Sequence, residues 1–566
     1  MKLPSPLALL VLLLAFTGLA CSNTGTEPAA KTGTNPQTDA AAAPQAAGEP
    51  VDGDWIVTHS PTEPPTLNPF LESAGADTVR VVDGNGGFIY ENLVTYDSDT
   101  LEVIPWIAES WTISEDKLAY TFKLKQNVTF SDGVPLTAND VKFTFDTVLD
   151  PKNLTADRRS YLSGLKEVNV LDDYTIEFKC AKPYFLNLIT LGTQWVLPKH
   201  IFGTGDFNTH PNNRAPIGSG PYLFESWQTG SAITLARNPN YWGEKKPHVD
   251  KIMFKIITDD NAAFLELQNG GIDEMRITNA EQWTNRTNTP KFTDQFDKYS
   301  LWSPVNGYLG TFNWIAWNMR RPLFEDKHVR RAMTMLLDRQ RILDKVYYGL
   351  GRVVTGYSFP DNDDYDKTIE PWPYDPDRAV MLLEEAGWKD TDNDGIRDKN
   401  GVPFKFEWIF ASGVNEYEIM ATVYKEQLDK VGINMTIRPL EWASFIESVT
   451  KREFDACMMA WVSPIESDPY QIWHSSQTEN GSNYPGFKNA EVDRLIEEAR
   501  VEFDEDKRNA LYREFHKILH EEQPYTFLFN RKRNLAVSKR FEGVKEQPLG
   551  FDFRDWWVPV AAQKYR

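Results

Sequence analysis

Residues 375–387 read DPDRAVMLLEEAG, followed by FKFEWIF at 404–410, MATVYKEQLDKVG at 420–432, INMTI at 433–437, WASFIESV at 442–449 and FDACMMAW at 454–461. Helical apolar spacing alternates here with the two-residue spacing of strands. Asp375 and Pro376 open the first helix as a capping carboxylate and an N-terminal proline, Val380, Leu382 and Leu383 supply its apolar face, and Gly387 stops it. A second helix through Met420, Tyr424, Leu428 and Val431 ends at Gly432 and passes at once into the strand Ile433, Met435, Ile437. Such alternation predicts a parallel or mixed sheet covered by helices, an α/β fold. Ligands of open α/β sheets bind beyond the carboxyl ends of the strands, so the segment after Trp461, from Val462 to His474, is a candidate site. It combines aromatic residues, the carboxylates Glu466 and Asp468, and a proline-stiffened backbone. An ordinary acidic surface loop has the same composition.

Working outward, Tyr120, Phe122 and Leu124, then Ile252, Phe254 and Ile256, alternate with polar residues and read as strands of an earlier, strand-rich region. Cys180 and Cys457 fall in strand-like runs and read as buried thiols. Two amphipathic helices follow the candidate loop, one with Val492, Leu495, Ile496 and Ala499 inward, the other with Leu511, Phe515, Ile518 and Leu519, stopped at Pro524.

At the other end, Lys2 precedes an apolar run from Leu7 to Phe16, too short to span a bilayer and flanked as a secretory signal is. Residues 1–20 therefore read as a signal peptide. Thr17-Gly18-Leu19-Ala20-Cys21 resembles a lipoprotein cleavage box, with Gly18 where leucine is usual, and Cys21 is the expected lipidation site. Residues 21–50 hold no aromatic residue and read as a flexible tether. The remaining body is too long for one core and predicts two or three domains. A formal charge of −21 argues against nucleic acid and against electrostatic adhesion to anionic lipid, leaving an acyl group as the membrane anchor.

The common hydrolase, zinc-protease and phosphate-loop signatures are absent from the sequence. Asp390, Asp392, Asp394 and Asp398 match the first, third, fifth and ninth positions of a calcium loop with Gly395 at the sixth, but Gly401 stands where the bidentate glutamate belongs, so a weak structural calcium site and a plain turn both fit. No other cofactor is expected. His516 and His520 lie one helical turn apart, a pair that could share a metal or simply face solvent. Acidic character with 18 tryptophans also suits a secreted carbohydrate-active enzyme, with Glu466 and Asp468 as the inviting pair.

Several stretches in order along the chain are similar to the family 5 solute-binding proteins of ABC importers: Ala108-Glu109-Ser110-Trp111; the run from Val128 to Val141 (VTFSDGVPLTANDV); Gly218-Ser219-Gly220-Pro221-Tyr222 with Arg237-Asn238-Pro239-Asn240-Tyr241-Trp242; and Pro322-Leu323-Phe324-Glu325-Asp326 with Val329-Arg330-Arg331-Ala332. The resemblance implies a type II periplasmic binding protein-like fold: two hinged lobes with mixed sheets and a smaller inserted domain. Lobe one is expected at 51–97, 216–305 and 536–566, the insertion at 98–215, and lobe two at 306–535. It also implies a non-enzymatic protein that closes on a small solute, an oligopeptide by first expectation, and passes it to permease subunits at the cell envelope; nickel complexes, glutathione, opines and sugars are alternatives. By resemblance the ligand site takes Trp461, with Trp317 and Asn318 on the opposing wall and Gly84, Asn85 and Gly86 across from Trp461. The position that receives a peptide amine in relatives falls on Ile465, leaving Glu466 or Asp468 as the carboxylate for that role.

Overall fold

Helix Pro376–Glu385 begins where Asp375 accepts the Arg378 amide, and Ala379, Leu382 and Leu383 form its buried face. Strand Lys405–Ala411, helix Asn415–Lys430, strand Asn434–Leu440, helix Trp442–Thr450 and strand Ala456–Pro464 follow in the order that the spacing predicts. These features come from a computed structural model that describes residues 48–74, 76–82, 87–302 and 308–565. The signal segment, Cys21 and nearly all of the tether lie outside the described residues, as do Gly84, Asn85 and Gly86.

The second lobe is built on a six-stranded sheet in the order Gly351–Val353, Tyr525–Arg531, Tyr308–Trp317, Ala456–Pro464, Lys405–Ala411, Asn434–Leu440. Lys405–Ala411 runs parallel to Asn434–Leu440 on one side and to Ala456–Pro464 on the other. The chain leaves the middle strand for one neighbour and returns to the other, so strand order reverses there and the carboxyl ends flank a switch-point crevice. Apolar clusters cover both faces of the sheet.

The first lobe carries a seven-stranded sheet in the order Phe296–Leu301, Arg533–Ser538, Glu274–Arg276, Trp55–Ser60, Lys251–Ile256, Ala232–Arg237, Tyr222–Gln228. The chain rejoins it at Arg533, which pairs with Leu301, rather than at residue 536 as expected. Between Trp55–Ser60 and Tyr222–Gln228 lies a four-stranded antiparallel sheet, Ala108–Ile113, Ala119–Leu124, Thr175–Cys180, Leu165–Asp172, with helix Ala138–Leu149 against it. Residues Gly48–Arg566 form one compact unit. Cys180 and Cys457 are buried, free and in different sheets. Among the described residues no helix is long and apolar enough to cross a membrane.

The stretches that carried the resemblance are scaffold. Thr137 and Asp140 form a reciprocal capping box at the start of helix Ala138–Leu149. Gly218 and Gly220 lie so close to the preceding chain that an added Cβ would sit 1.9 Å from the Ile89 carbonyl oxygen and 2.4 Å from that of Phe88. Asn238 holds that corner by donating to the Gly220 carbonyl. The buried Arg330 guanidinium donates to the Phe324, Glu325 and Glu522 carbonyls, tying helix Lys327–Met335 to the end of helix Glu505–Glu522.

Candidate functional site

The switch-point crevice has an unusual wall. Ala456–Pro464 is paired along its length with Tyr308–Trp317, but on its other side Lys405–Ala411 pairs with it only at Ala456 and Cys457. From Met458 onward that edge meets no strand among the described residues, and Ala460 and Val462 are exposed on it. An unpaired edge presents a row of free backbone donors and acceptors, the template an extended peptide uses to add itself as a strand. Asn313, opposite Ala460, donates to the Tyr417 hydroxyl at 3.2 Å, so the first turn of helix Asn415–Lys430 is fixed beside this edge. Near that helix start, a cavity of about 380 Å³ separates Asn279 and Glu281 of the first lobe from Arg341, Lys345, Asn415 and Glu416 of the second.

The other face of the strand is rigid. Trp461 stacks on Trp314 and on Tyr484 at centroid distances of 5.7 and 5.9 Å, and Trp314 stacks on Tyr525 at 4.2 Å. The Trp461 indole donates to the Tyr525 hydroxyl, so it anchors the strand from behind. Trp317 and Asn318 are corrected from cleft wall to core. Trp317 packs on Phe324 and Phe406 and donates to Thr526, while the Asn318 amide donates to the Arg452 and Phe454 carbonyls. Side chains alternate along Tyr308–Trp317, and the residues around Trp317 fall between the sheet and its helices.

Neither loop carboxylate waits for an amine. Asp468 lies 3.0 Å from the Arg500 guanidinium and accepts the Tyr184 hydroxyl at 2.7 Å; Glu466 lies 3.3 Å from Arg508. Burial raises the Glu466 carboxyl above its ordinary value, with Arg508 acting against it. Tyr184 belongs to the insertion, so its bond to Asp468 crosses from one side of the cleft to the other. Arg500 lies over both the Tyr184 and Tyr470 rings, its carbonyl accepts the Phe185 amide, and Arg508 lies over Phe185. Ile465 joins an apolar cluster with Phe359 from its own lobe and Tyr96, Leu101 and Leu549 from the other side, which rules out an amine-binding role there. The loop after Trp461 is thus a latch between lobes. Asp468→Asn weakens a charged hydrogen bond worth about 1.5–3 kcal/mol and, with Tyr184→Phe, should move the unliganded protein toward an open form. Small-angle X-ray scattering would show a larger radius of gyration for both variants, and an unchanged radius would deny the latch.

Sequence reasoning did not find Tyr184 or a group of arginines at the hinge. Arg276 ends strand Glu274–Arg276, Arg531 ends Tyr525–Arg531, Arg533 begins the strand that returns to lobe one, and Arg80 reaches them from helix Ala76–Val82. Glu274 lies among them, buried and held by Arg80 at 3.0 Å and by the Thr58 hydroxyl.

Of the proposed calcium ligands, Asp390, Asp392 and Asp398 bring oxygens within 4.8 Å of one another, and Asp394 is not among them. These carboxylates already accept local donors: Gly395 N on Asp390, Asp394 N on Asp392, and Thr391 on Asp398. The group fits an Asx-type turn as well as a weak ion site. His516 is buried between Thr355 and the Asp366 amide, whereas His520 stacks on Trp372; burial pushes both down to about 4.

Residues 102–483 match the family model of bacterial extracellular solute-binding proteins, family 5. The chain is 34% identical over 529 residues to the oligopeptide-binding protein AppA of Bacillus subtilis (strain 168), covering 91% of this chain and 94% of that protein. The solved structure of AppA from Bacillus subtilis in complex with a nonapeptide superposes with a TM-score of 0.74 at 32% identity, covering 90% of this chain and 100% of that one. NikZ from Campylobacter jejuni in complex with Ni(L-His) gives 0.75 at 25% identity, covering 89% and 99%.

Proposed function

The chain belongs to the family 5 bacterial extracellular solute-binding proteins of ABC importers, and from that membership we propose that it captures a peptide or peptide-like solute by lobe closure and delivers it to a membrane permease. The observation that carries the peptide reading is the open edge of Ala456–Pro464 at the switch point, with Ala460 and Val462 exposed. Main-chain pairing along such an edge gives affinity with little demand on side chains. In this reading Trp461 stiffens the pairing strand from behind, and Glu466 and Asp468 hold the closed form. The similarity to a protein crystallised with a nonapeptide supports an extended ligand. The family is one of binding proteins rather than enzymes, and with Glu466 and Asp468 both paired to arginine, neither is disposed as a free acid or base.

We further propose that Cys21 is acylated after removal of residues 1–20 and that residues 21–50 tether the body to the membrane. Native mass spectrometry of the protein extracted from membranes tests both readings. A ladder of peptide masses released from the complex supports peptide capture, whereas a single non-peptide mass, such as a nickel complex, an opine or an oligosaccharide, would replace it. The intact mass should correspond to a chain beginning at Cys21 with acyl groups added; an unacylated chain removes the anchor.

A further inference from the structure

On a chain with formal charge −21, four arginines meet on the hinge side of the cleft. Strands Trp55–Ser60 and Glu274–Arg276 run parallel and place their carboxyl ends there, beside the crossing between lobes at 531–533. Arg80, Arg276, Arg531 and Arg533 gather at this place: Arg276 pairs with Leu535, two residues along the neighbouring strand from Arg533, and Arg80 bonds Glu274 of the strand that Arg276 ends.

Their bonding is unequal. Arg80 is spent on His59, Thr58 and Glu274. The Arg276 side chain is open to solvent but crowded by surrounding protein, and it meets no acceptor among the described residues. Arg531 lies over the Tyr347 ring at 4.2 Å, and its buried Nε has no hydrogen-bond partner among the described residues. The guanidiniums feel one another: burial, then Arg531 and Arg80, lowers Arg276, while burial, then Arg276, brings Arg533 down to about 9. Like charges held together in a partly desolvated place are costly unless an opposite charge arrives. The cluster also lies within reach of the open strand edge: Arg531 follows Asn530, which pairs with Phe312, and the next residue, Asn313, faces Ala460.

We propose that the solute carries two or more carboxylates and that Arg276 and Arg531, with Arg80 and Arg533 behind them, receive them while its backbone pairs along Ala456–Pro464. This rests on the peptide reading above and narrows it to acidic peptides. Guanidinium and carboxylate make charge-assisted, often bidentate pairs, so the site would select for charge rather than for sequence. A non-peptide polycarboxylate offers the same chemistry.

Isothermal titration calorimetry with three probes separates the cases: the pentapeptide Ala-Glu-Ala-Glu-Ala, its isostere Ala-Gln-Ala-Gln-Ala, and citrate. The expected result is that the acidic peptide binds about tenfold or more tightly than its isostere. Arg276→Gln and Arg531→Gln should each shrink that ratio toward one, with thermal melting unchanged as the control for folding. If citrate binds, needs Arg276 and Arg531, and neither peptide binds, the carboxylate site stands and the peptide reading falls. If both peptides bind equally, the carboxylate site is overturned and the peptide reading survives. If none of the three binds, both are overturned.

Discussion

Arg540→Ala should lower the unfolding free energy by about 3–5 kcal/mol, the range for leaving a buried charge without its partner. The guanidinium bonds both oxygens of Asp273, at 2.8 and 2.7 Å, and also reaches Asp54 and the Trp55 carbonyl. The three side chains are almost sealed, at 7% exposure for Arg540, 0% for Asp54 and 1% for Asp273. Burial pulls Arg540 down, but its pairs with Asp273 and Asp54 outweigh that and hold it above the ordinary arginine value. Asp54 also accepts the Lys564 and Tyr565 amides, and Asp273 accepts the Val57 amide. One arginine therefore clasps the chain's last residues and its first strand to strand Glu274–Arg276. Removing it leaves two buried carboxylates with only Lys564, 3.3 Å from Asp273, as a remaining cation among the described residues. The comparison is Lys142→Ala, which breaks the exposed pair with Asp146 and should cost about 0.3–0.5 kcal/mol. Guanidinium unfolding of the two variants should separate them by several kcal/mol; similar losses would mean that the clasp adds nothing beyond a surface pair.

Local order was legible in the sequence and long-range convergence was not. The helix and strand series from Asp375 to Trp461 could be read because each element carries its own period, cap or glycine stop, and helix Ala490–Val501 buries the four residues its spacing predicts, Val492, Leu495, Ile496 and Ala499. The next helix shows the limit: Tyr512 and His516 are buried with Phe515 and Leu519, while Leu511 and Ile518 sit at the margin, because polar residues that find partners can face a core. The strand that the spacing predicts up to Trp461 runs on to Pro464, and the carboxylates of the loop that follows it were read as free. Their partners, Tyr184, Arg500 and Arg508, lie elsewhere in the chain and show no pattern of their own. The hinge arginines are separated in the same way, from Arg80 to Arg533. Trp317 was misplaced because a tryptophan beside a family motif says nothing about which face of its strand it occupies. The motifs themselves turned out to mark where backbone segments must meet.

That meeting of segments gives the other large expectation, at Glu91. This carboxylate is buried where the insertion joins lobe one, and each oxygen takes one indole and one hydroxyl: Trp106 at 2.9 Å and Tyr241 at 2.6 Å on Oε1, Trp242 at 2.8 Å and Ser219 at 2.7 Å on Oε2. Ser219, Tyr241 and Trp242 come from the family-like stretches, and Trp106 comes from the insertion. Glu91→Gln preserves volume but puts an amide NH₂ where an oxygen was. A hydroxyl can turn to accept from that NH₂, but an indole only donates, so one indole N–H is stranded whichever way the amide points. The expected cost is about 2–3 kcal/mol, and Glu91→Ala, which strands all four donors and opens a cavity, should cost about 4 kcal/mol or more. Burial raises the Glu91 carboxyl above 4.5, with Tyr241, Ser219, Trp242 and Trp106 pulling the other way. A raised folded value means the native state holds the proton more tightly than the unfolded chain. Its contribution is therefore fully present below the unfolded value, fades as pH rises through the folded one, and is level above it. Glu91→Gln has no proton to exchange at this site, so its stability loss relative to wild type should be greatest at low pH and shrink as pH rises through that window. Denaturant titrations at a series of pH values would show this, and a loss that stays constant with pH would mean that Glu91 does not titrate differently on folding.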